Sequence, residues 1–221
     1  MLRRTLYIHV LLMAGSVVPR VSGEEPSVVT SSAAFQTVCG DLQKVKFVQT
    51  DFTEEKTLHL LTHPIQSKGT LLFSPRQGVY RVLLEPVHQE MLITRAQVVQ
   101  KDTQGHLQRM AVGRQPQARA FVDVFLSFFA GDSRAWEKTF ATSFSGSVEE
   151  WQIEFKPRPK SPAAKGLRRI TLQGHEGVLE SMSIEEANGD MTRTTYSHQQ
   201  LFLKSDPGEP ATTFPLDLKG S

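Results

Sequence analysis

His59-Leu60-Leu61-Thr62-His63 sets two imidazoles four residues apart, the spacing that presents two zinc ligands on one face of a helix. The glutamate of the metalloprotease helix motif is missing and Pro64 follows at once, so the segment reads as an exposed turn. Three adjacent carboxylate pairs, Glu54-Glu55, Glu149-Glu150 and Glu185-Glu186, would supply acid and base only if both members shared a face. On strands, neighbours point to opposite sides, so no pair can work together. Cys39 is the single cysteine and lies in an apolar-patterned segment, which favours a buried small hydrophobe over a nucleophile. Asp123 is an odd acid inside an apolar run and either faces solvent or pairs with Arg119 one turn back. The sequence has no G-x-S-x-G, no phosphate-cradling glycine loop and no Cys-x-x-Cys. These residues predict a protein that is not an enzyme, with no cofactor and no metal.

The elements that would position side chains are mostly strands. Residues 28–45 carry Phe35, Val38, Cys39, Leu42 and Val45 at helical spacing, with Ser31 or Ser32 as N-cap. Short runs rich in β-branched and aromatic residues follow at 46–53, 69–73, 79–84, 90–94 and 97–101, separated by Pro/Gly turns. Trp151, Ile153 and Phe155 then alternate with Gln152, Glu154 and Lys156, and strands are expected at 167–173, 178–185 and 191–196. Asn188-Gly189 signals a hairpin with a type I′ turn. About ten strands in a chain of this size imply an antiparallel sheet that curls over its inner face.

One segment breaks the pattern. Residues 117–130 place Phe121, Val124, Phe125, Phe128 and Phe129 at helical spacing, and Val122 and Leu126 widen the apolar surface beyond one stripe. Pro116 opens this helix and Gly131-Asp132 closes it; a second short helix is expected at 133–140 with Trp136 on its apolar side. So apolar a helix must be buried on nearly all sides, against the concave face of the sheet. Two readings fit: a core plug, or a lid over a lipid-sized cavity.

The chain has 221 residues, 39% hydrophobic, with formal net charge +2. Arg3 and Arg4 precede an apolar stretch over 6–18, and Val21-Ser22-Gly23 offers a cleavage site, so residues 1–23 read as a secretory signal and 24–221 as one domain. Removing the leader lowers Lys plus Arg from 25 to 22 against 23 acids, leaving a mature charge of −1. The basic clusters 156–160 and 165–169 flank a proline loop and read as solvated, so no nucleic-acid partner is expected.

Phe47-Val48-Gln49-Thr50, Gly69-Thr70-Leu71-Leu72-Phe73 with the preceding Pro64 to Lys68, Gly78-Val79-Tyr80-Arg81 and Glu85-Pro86 together resemble the opening of the LolA family, the periplasmic carriers of outer-membrane lipoproteins. The motif-bearing part spans residue 47 to about 94, and the order of elements is similar over most of the mature chain. The resemblance implies an α+β, mainly β fold: a half-open antiparallel barrel of about ten or eleven strands with an N-terminal helix and mid-chain helices as its lid. It implies a monomeric periplasmic carrier that shields the acyl chains of a lipoprotein, or of another lipid or glycolipid, between an inner-membrane donor complex and an outer-membrane acceptor. Phe121, Val124, Phe125, Phe128, Phe129 and Trp136 would form the lid. Phe47, Leu71, Phe73, Leu83, Ile93, Trp151, Ile153 and Phe155 would line the cavity, and Arg76 or Arg81 would lock the lid. The reading from another class is a β-rich structural or interaction protein of the cell envelope with a solid core.

Overall fold

The computed structural model describes residues 33–114, 116–129, 132, 136–206 and 214; within 114–129, side chains are described at 119, 122–124 and 126–128. The leader assigned to residues 1–23 and the N-cap serines lie outside these residues. The described chain starts in α1 (Ala33–Lys44), whose Phe35, Val38, Cys39 and Leu42 share one face and are buried. Eleven strands follow: β1 (Val45–Thr57), β2 (Ile65–Ser74), β3 (Gly78–Glu85), β4 (Gln89–Ile93), β5 (Gln97–Lys101), β6 (Leu107–Ala111), β7 (Phe140–Gly146), β8 (Trp151–Pro157), β9 (Leu167–His175), β10 (Val178–Glu186) and β11 (Met191–Leu203).

All eleven join one sheet in the order β6-β5-β4-β3-β2-β1-β11-β10-β9-β8-β7, and every described pairing is antiparallel. The first and last strands meet at its centre. The edges are β6 and β7, consecutive in the chain, so the segment between them must cross from one edge to the other. That segment holds a 3-10 turn (Val112–Arg114) and α2 (Pro116–Phe129). A second 3-10 turn (Pro162–Lys165) interrupts the β8–β9 connection and packs against α2.

Alternation along the strands divides the apolar residues between two faces. The inner face, covered by α1 and α2, carries Val48, Phe52, Leu71, Phe73, Ile93, Ile153 and Phe155 in one cluster with residues of both helices. The outer face carries a smaller cluster of Phe47, Leu72, Leu92 and Val99, with Tyr80 and Phe202 against it, and Phe214 from beyond β11 seals it. The Phe214 ring sits 6.4 Å from Phe47 and 6.2 Å from Tyr80. Two glycines make close packing possible on the inner face. A Cβ at Gly69 would lie 2.9 Å from the Phe52 ring and 1.9 Å from the Val82 carbonyl oxygen, and one at Gly174 would lie 2.5 Å from Trp151.

Several expectations need revision. β6 and β7 are strands absent from the sequence reading; residues 136–139 form a hydrogen-bonded turn leading into β7, and 133–135 lie outside the described residues. Asn188-Gly189 does join a hairpin, but Gly189 (φ 92°) is left-handed while Asn188 is not among the positive-φ residues. The Gly189 N–H donates to the Glu186 carbonyl, and Asn188 instead uses its side chain to hold Asp190. A two-residue type I′ turn is therefore replaced by a longer, side-chain-buttressed one.

Phe214 is 1% exposed and anchors the outer-face cluster. Phe214→Ala should cost about 3 kcal/mol, the lower end for a buried Phe truncation, read as a lowered midpoint in urea denaturation; an unchanged midpoint would show that the anchor contributes nothing.

Candidate functional site: the inner face and its covering helix

The apolar excess in α2 is buried as its composition demands. Val122, Val124, Leu126, Ser127 and Phe128 are all buried, which is too broad an arc for a surface helix. Phe121, Phe125 and Phe129 belong to α2, but their side chains lie outside the described residues. Phe128 packs on Trp151 at 6.0 Å between ring centroids, and Trp136, just past α2, meets Phe155 edge-on at 5.2 Å. Leu71, Phe73, Ile93, Trp151, Ile153 and Phe155 are buried on the same face and Leu83 packs against them, so the structure brings these sequence-selected residues together with Val124, Phe128 and Trp136. Phe47 is the exception. It faces outward, 5.9 Å from Phe202, because alternation lets only one of the adjacent pair Phe47 and Val48 face the helices, and Val48 does.

Beneath α1 the inner face is closely packed. A pocket lined entirely by described residues, between α1 and Val48, Leu179 and Leu201, has a volume of about 10 Å³. Three buried polar atoms on this face nevertheless have no hydrogen-bond partner: Trp136 Nε1, Thr142 Oγ1 and Gln100 Nε2. Thr142 stands opposite Phe155, against which Trp136 packs, so two of the three border the same ring. A polar group buried without a partner costs about 1–3 kcal/mol.

The arginine candidates separate. Arg76 is exposed in the β2–β3 turn. Arg81 is on the inner face with its guanidinium 4.2 Å above the Phe52 ring and 3.0 Å from Glu54 Oε1, and Thr194 donates to the other Glu54 oxygen. Among the described contacts Arg81 holds β1 to β3 rather than α2 to the sheet. The side chain that does reach α2 is Arg95, in the β4–β5 turn, which sequence reasoning missed. Its Nη1 lies 3.6 Å from Asp123 and its Nη2 donates to Ser127 Oγ at 3.5 Å. Arg119 also approaches Asp123 at 3.6 Å, as the one-turn spacing anticipates. The two ion pairs of Asp123 are long and more than a third exposed on both sides, and such pairs are worth about 0–1 kcal/mol.

The histidine motif has a structural use. The His59 backbone N–H donates to Asp190 Oδ1 at 2.9 Å and the His59 ring meets the same oxygen at 2.8 Å, tying the β1–β2 connection to the β10–β11 turn. Burial alone would raise the Asp190 pKa, but the bonds from His59 and from Asn188 outweigh it and hold the carboxyl below the usual range. Of the adjacent glutamates, Glu54 pairs with inner-face Arg81 while Glu55 accepts from Gln66, and Glu185 pairs with Arg168 and Arg169 while Glu186 pairs with Lys56; Glu149-Glu150 lies in the β7–β8 turn and not on a strand, so alternation does not apply to it. Among the described residues, no group of three or more His, Cys, Asp or Glu side chains is placed to hold a metal ion. No described helix is long and apolar enough to cross a membrane.

With this geometry in hand, the sequence match is decisive. A family profile described as outer membrane lipoprotein carrier protein LolA-like matches residues 28–199. The chain belongs to this LolA-like family. No curated protein sequence matches it. Among solved structures, a LolA superfamily protein from Nitrosomonas europaea is 11% identical, covers 77% of this chain and 94% of its own, and has a TM-score of 0.42. A DUF1329 family protein from Desulfovibrio piger is 9% identical over 75% of this chain and 90% of its own, with a TM-score of 0.40. The MucA/MucB complex of Pseudomonas aeruginosa gives 11% identity over 78% of this chain and 56% of that one, with a TM-score of 0.42. These structural likenesses are distant, and the LolA-like assignment rests on the profile.

Two outcomes follow for titratable groups. Burial raises the Cys39 thiol to about 11, so at pH 8 it should resist iodoacetamide in the folded protein and react once urea unfolds it; native labelling at the unfolded rate would contradict this. A carboxyl held low stabilises the fold above its unfolded pKa, near 4, and loses that contribution as pH falls through its folded value. Asp190→Asn, which mimics the protonated state, should therefore speed hydrogen exchange of the His59 amide at neutral pH, and unchanged exchange would show that the tie is not formed.

Proposed function

We propose that the protein is a carrier that shields the acyl chains of a lipoprotein between the inner face of its sheet and α2, crossing the periplasm from an inner-membrane donor to an outer-membrane acceptor after loss of residues 1–23. The observation that carries this reading is the manner in which α2 covers the inner face. The helix fills an apolar surface, yet its described polar ties to the sheet are two contacts of 3.5–3.6 Å from one exposed arginine. Acyl burial yields about 0.8 kcal/mol per CH₂. A chain of ten or more methylenes therefore offers the face more than the helix's polar ties withhold, while the helix's own apolar contacts keep the exchange near balance. The unpartnered Trp136, Thr142 and Gln100 groups support a cargo that carries ester or amide carbonyls beside its chains. Membership in the LolA-like family supports the same class of cargo, and another acylated lipid or glycolipid would satisfy the same chemistry.

The close packing of the described inner-face residues favours a second reading, an envelope protein with a solid core and no cargo. The two are separated by mixing the purified protein with a triacylated lipopeptide and looking for a soluble one-to-one complex by size-exclusion chromatography and mass spectrometry. The carrier reading expects that complex from the wild type. It also expects loss of loading in Phe125→Asp with the β-sheet circular dichroism retained, and binding three- to tenfold weaker in Trp136→Phe, the worth of about one hydrogen bond. A folded wild type that never forms the complex, or a folded Phe125→Asp protein that loads normally, would overturn it.

A further inference from the structure

The antiparallel order fixes which connections share an end of the sheet. Where β1 finishes lie the β1–β2, β3–β4, β5–β6, β8–β9 and β10–β11 connections. Eight large apolar side chains are exposed among the described residues, and seven of them belong to this end. Leu60, 82% exposed, and Leu61 occupy the β1–β2 connection, and Ile65 opens β2. Leu84 and Val87 flank the β3–β4 turn, Leu107 opens β6 and Met191 opens β11. Leu203 alone lies at the opposite end. Single exposed leucines scattered over a surface are ordinary, whereas this concentration marks an interaction site.

The β1–β2 arm also projects. β3 ends at Glu85, opposite Lys68, while β2 continues three residues further to pair Ile65 with Lys56. At about 3.3 Å per residue the arm extends roughly 10 Å beyond its neighbour. Its tip is held in place by the two contacts of His59 with Asp190.

Charge selects the occupant. Among the acids of this end, Glu85 pairs with Lys68, Glu90 with Lys101, Glu186 with Lys56 and Glu185 with Arg168 and Arg169, while Glu55, Asp190 and Asp102 are held by Gln66, His59 and His106. The β8–β9 connection adds Arg158, Lys160 and Lys165, and no acid occurs between Glu154 and Glu176. Lys160 and Lys165 are exposed and make no ion pair among the described residues. The β8–β9 side of this end thus carries positive charge with no acid in its own segment.

We propose that this end of the sheet docks on the surface of an anionic lipid bilayer. Leu60, Leu61 and Val87 enter the interfacial layer, and Lys160 and Lys165 meet lipid phosphates. Separate projecting tips suit a fluid surface that closes around each one, whereas a folded partner would need one continuous complementary patch. The Pro162–Lys165 turn packs against α2, so a docked bilayer lies beside the covering helix. The docking does not depend on what the inner face carries.

The test is flotation of the purified protein with vesicles of equal parts phosphatidylethanolamine and phosphatidylglycerol, against vesicles of phosphatidylcholine. Expected are co-flotation with the anionic vesicles and a partition at least tenfold lower for Leu60→Asp/Leu61→Asp. Lys160→Glu/Lys165→Glu should show a loss of about tenfold that shrinks at high salt. Leu203→Asp, at the opposite end, should float as wild type does. Phe125→Asp should float as well, which separates failure of docking from failure of cargo loading. Wild-type protein that stays with the soluble fraction, or a folded tip variant that floats undiminished, would overturn the proposal and leave the patch as a surface for a protein partner.

Discussion

An antiparallel sheet whose edge strands never pair with each other leaves one face that the strands alone cannot close. Here β6 and β7 are those edges, and the inner face between them is lined by Phe73, Ile153, Phe155 and other side chains that water would solvate poorly. Something outside the sheet must cover them. The chain meets this requirement with the one segment that has to travel from β6 to β7 in any case, and the apolar excess of α2 follows from that position. A helix in contact with sheet, α1 and the Pro162–Lys165 turn has few directions left to face solvent.

The same arrangement leaves few polar contacts between the cover and the sheet among the described residues. Strand pairing is cemented by backbone ladders and by inner-face groups such as Arg81 with Glu54, which act within the sheet. The described contacts of α2 are mostly side-chain burial, with Arg95 as its polar tether. Burial is non-directional, so an acyl chain can replace a helix face without matching hydrogen-bond geometry. The outer face is treated differently: Phe214 seals a small aromatic cluster there, on the side away from the proposed exchange.

Legibility in the sequence followed periodicity. Trp151, Ile153 and Phe155 read as strand because polar residues alternate with them, and all three sit where the alternation places them. α2 was legible because its apolar residues exceed one stripe. β6 was not, since Leu107 to Ala111 holds only partly covered and exposed residues and shows little apolar signal. Phe47 was assigned to the wrong side because β1 starts with apolar residues on both faces and its register shifts between Val45 and Phe47, and only tertiary contacts such as those with Phe202 and Phe214 distinguish the faces. The Arg95 tether and the His59–Asp190 tie join residues far apart in sequence, 131 positions in the second case, for which a single sequence carries no spacing signal.

The central claim is that α2 stands in for acyl chains. The measurement that bears on it most directly is native mass spectrometry of the protein isolated without detergent from the cells that make it. The account predicts a fraction of molecules carrying one added mass that dissociates as an acylated species, with the Phe125→Asp protein free of it. Wild-type protein recovered only at its bare polypeptide mass, from cells in which acylated lipoproteins are being exported, would contradict the account.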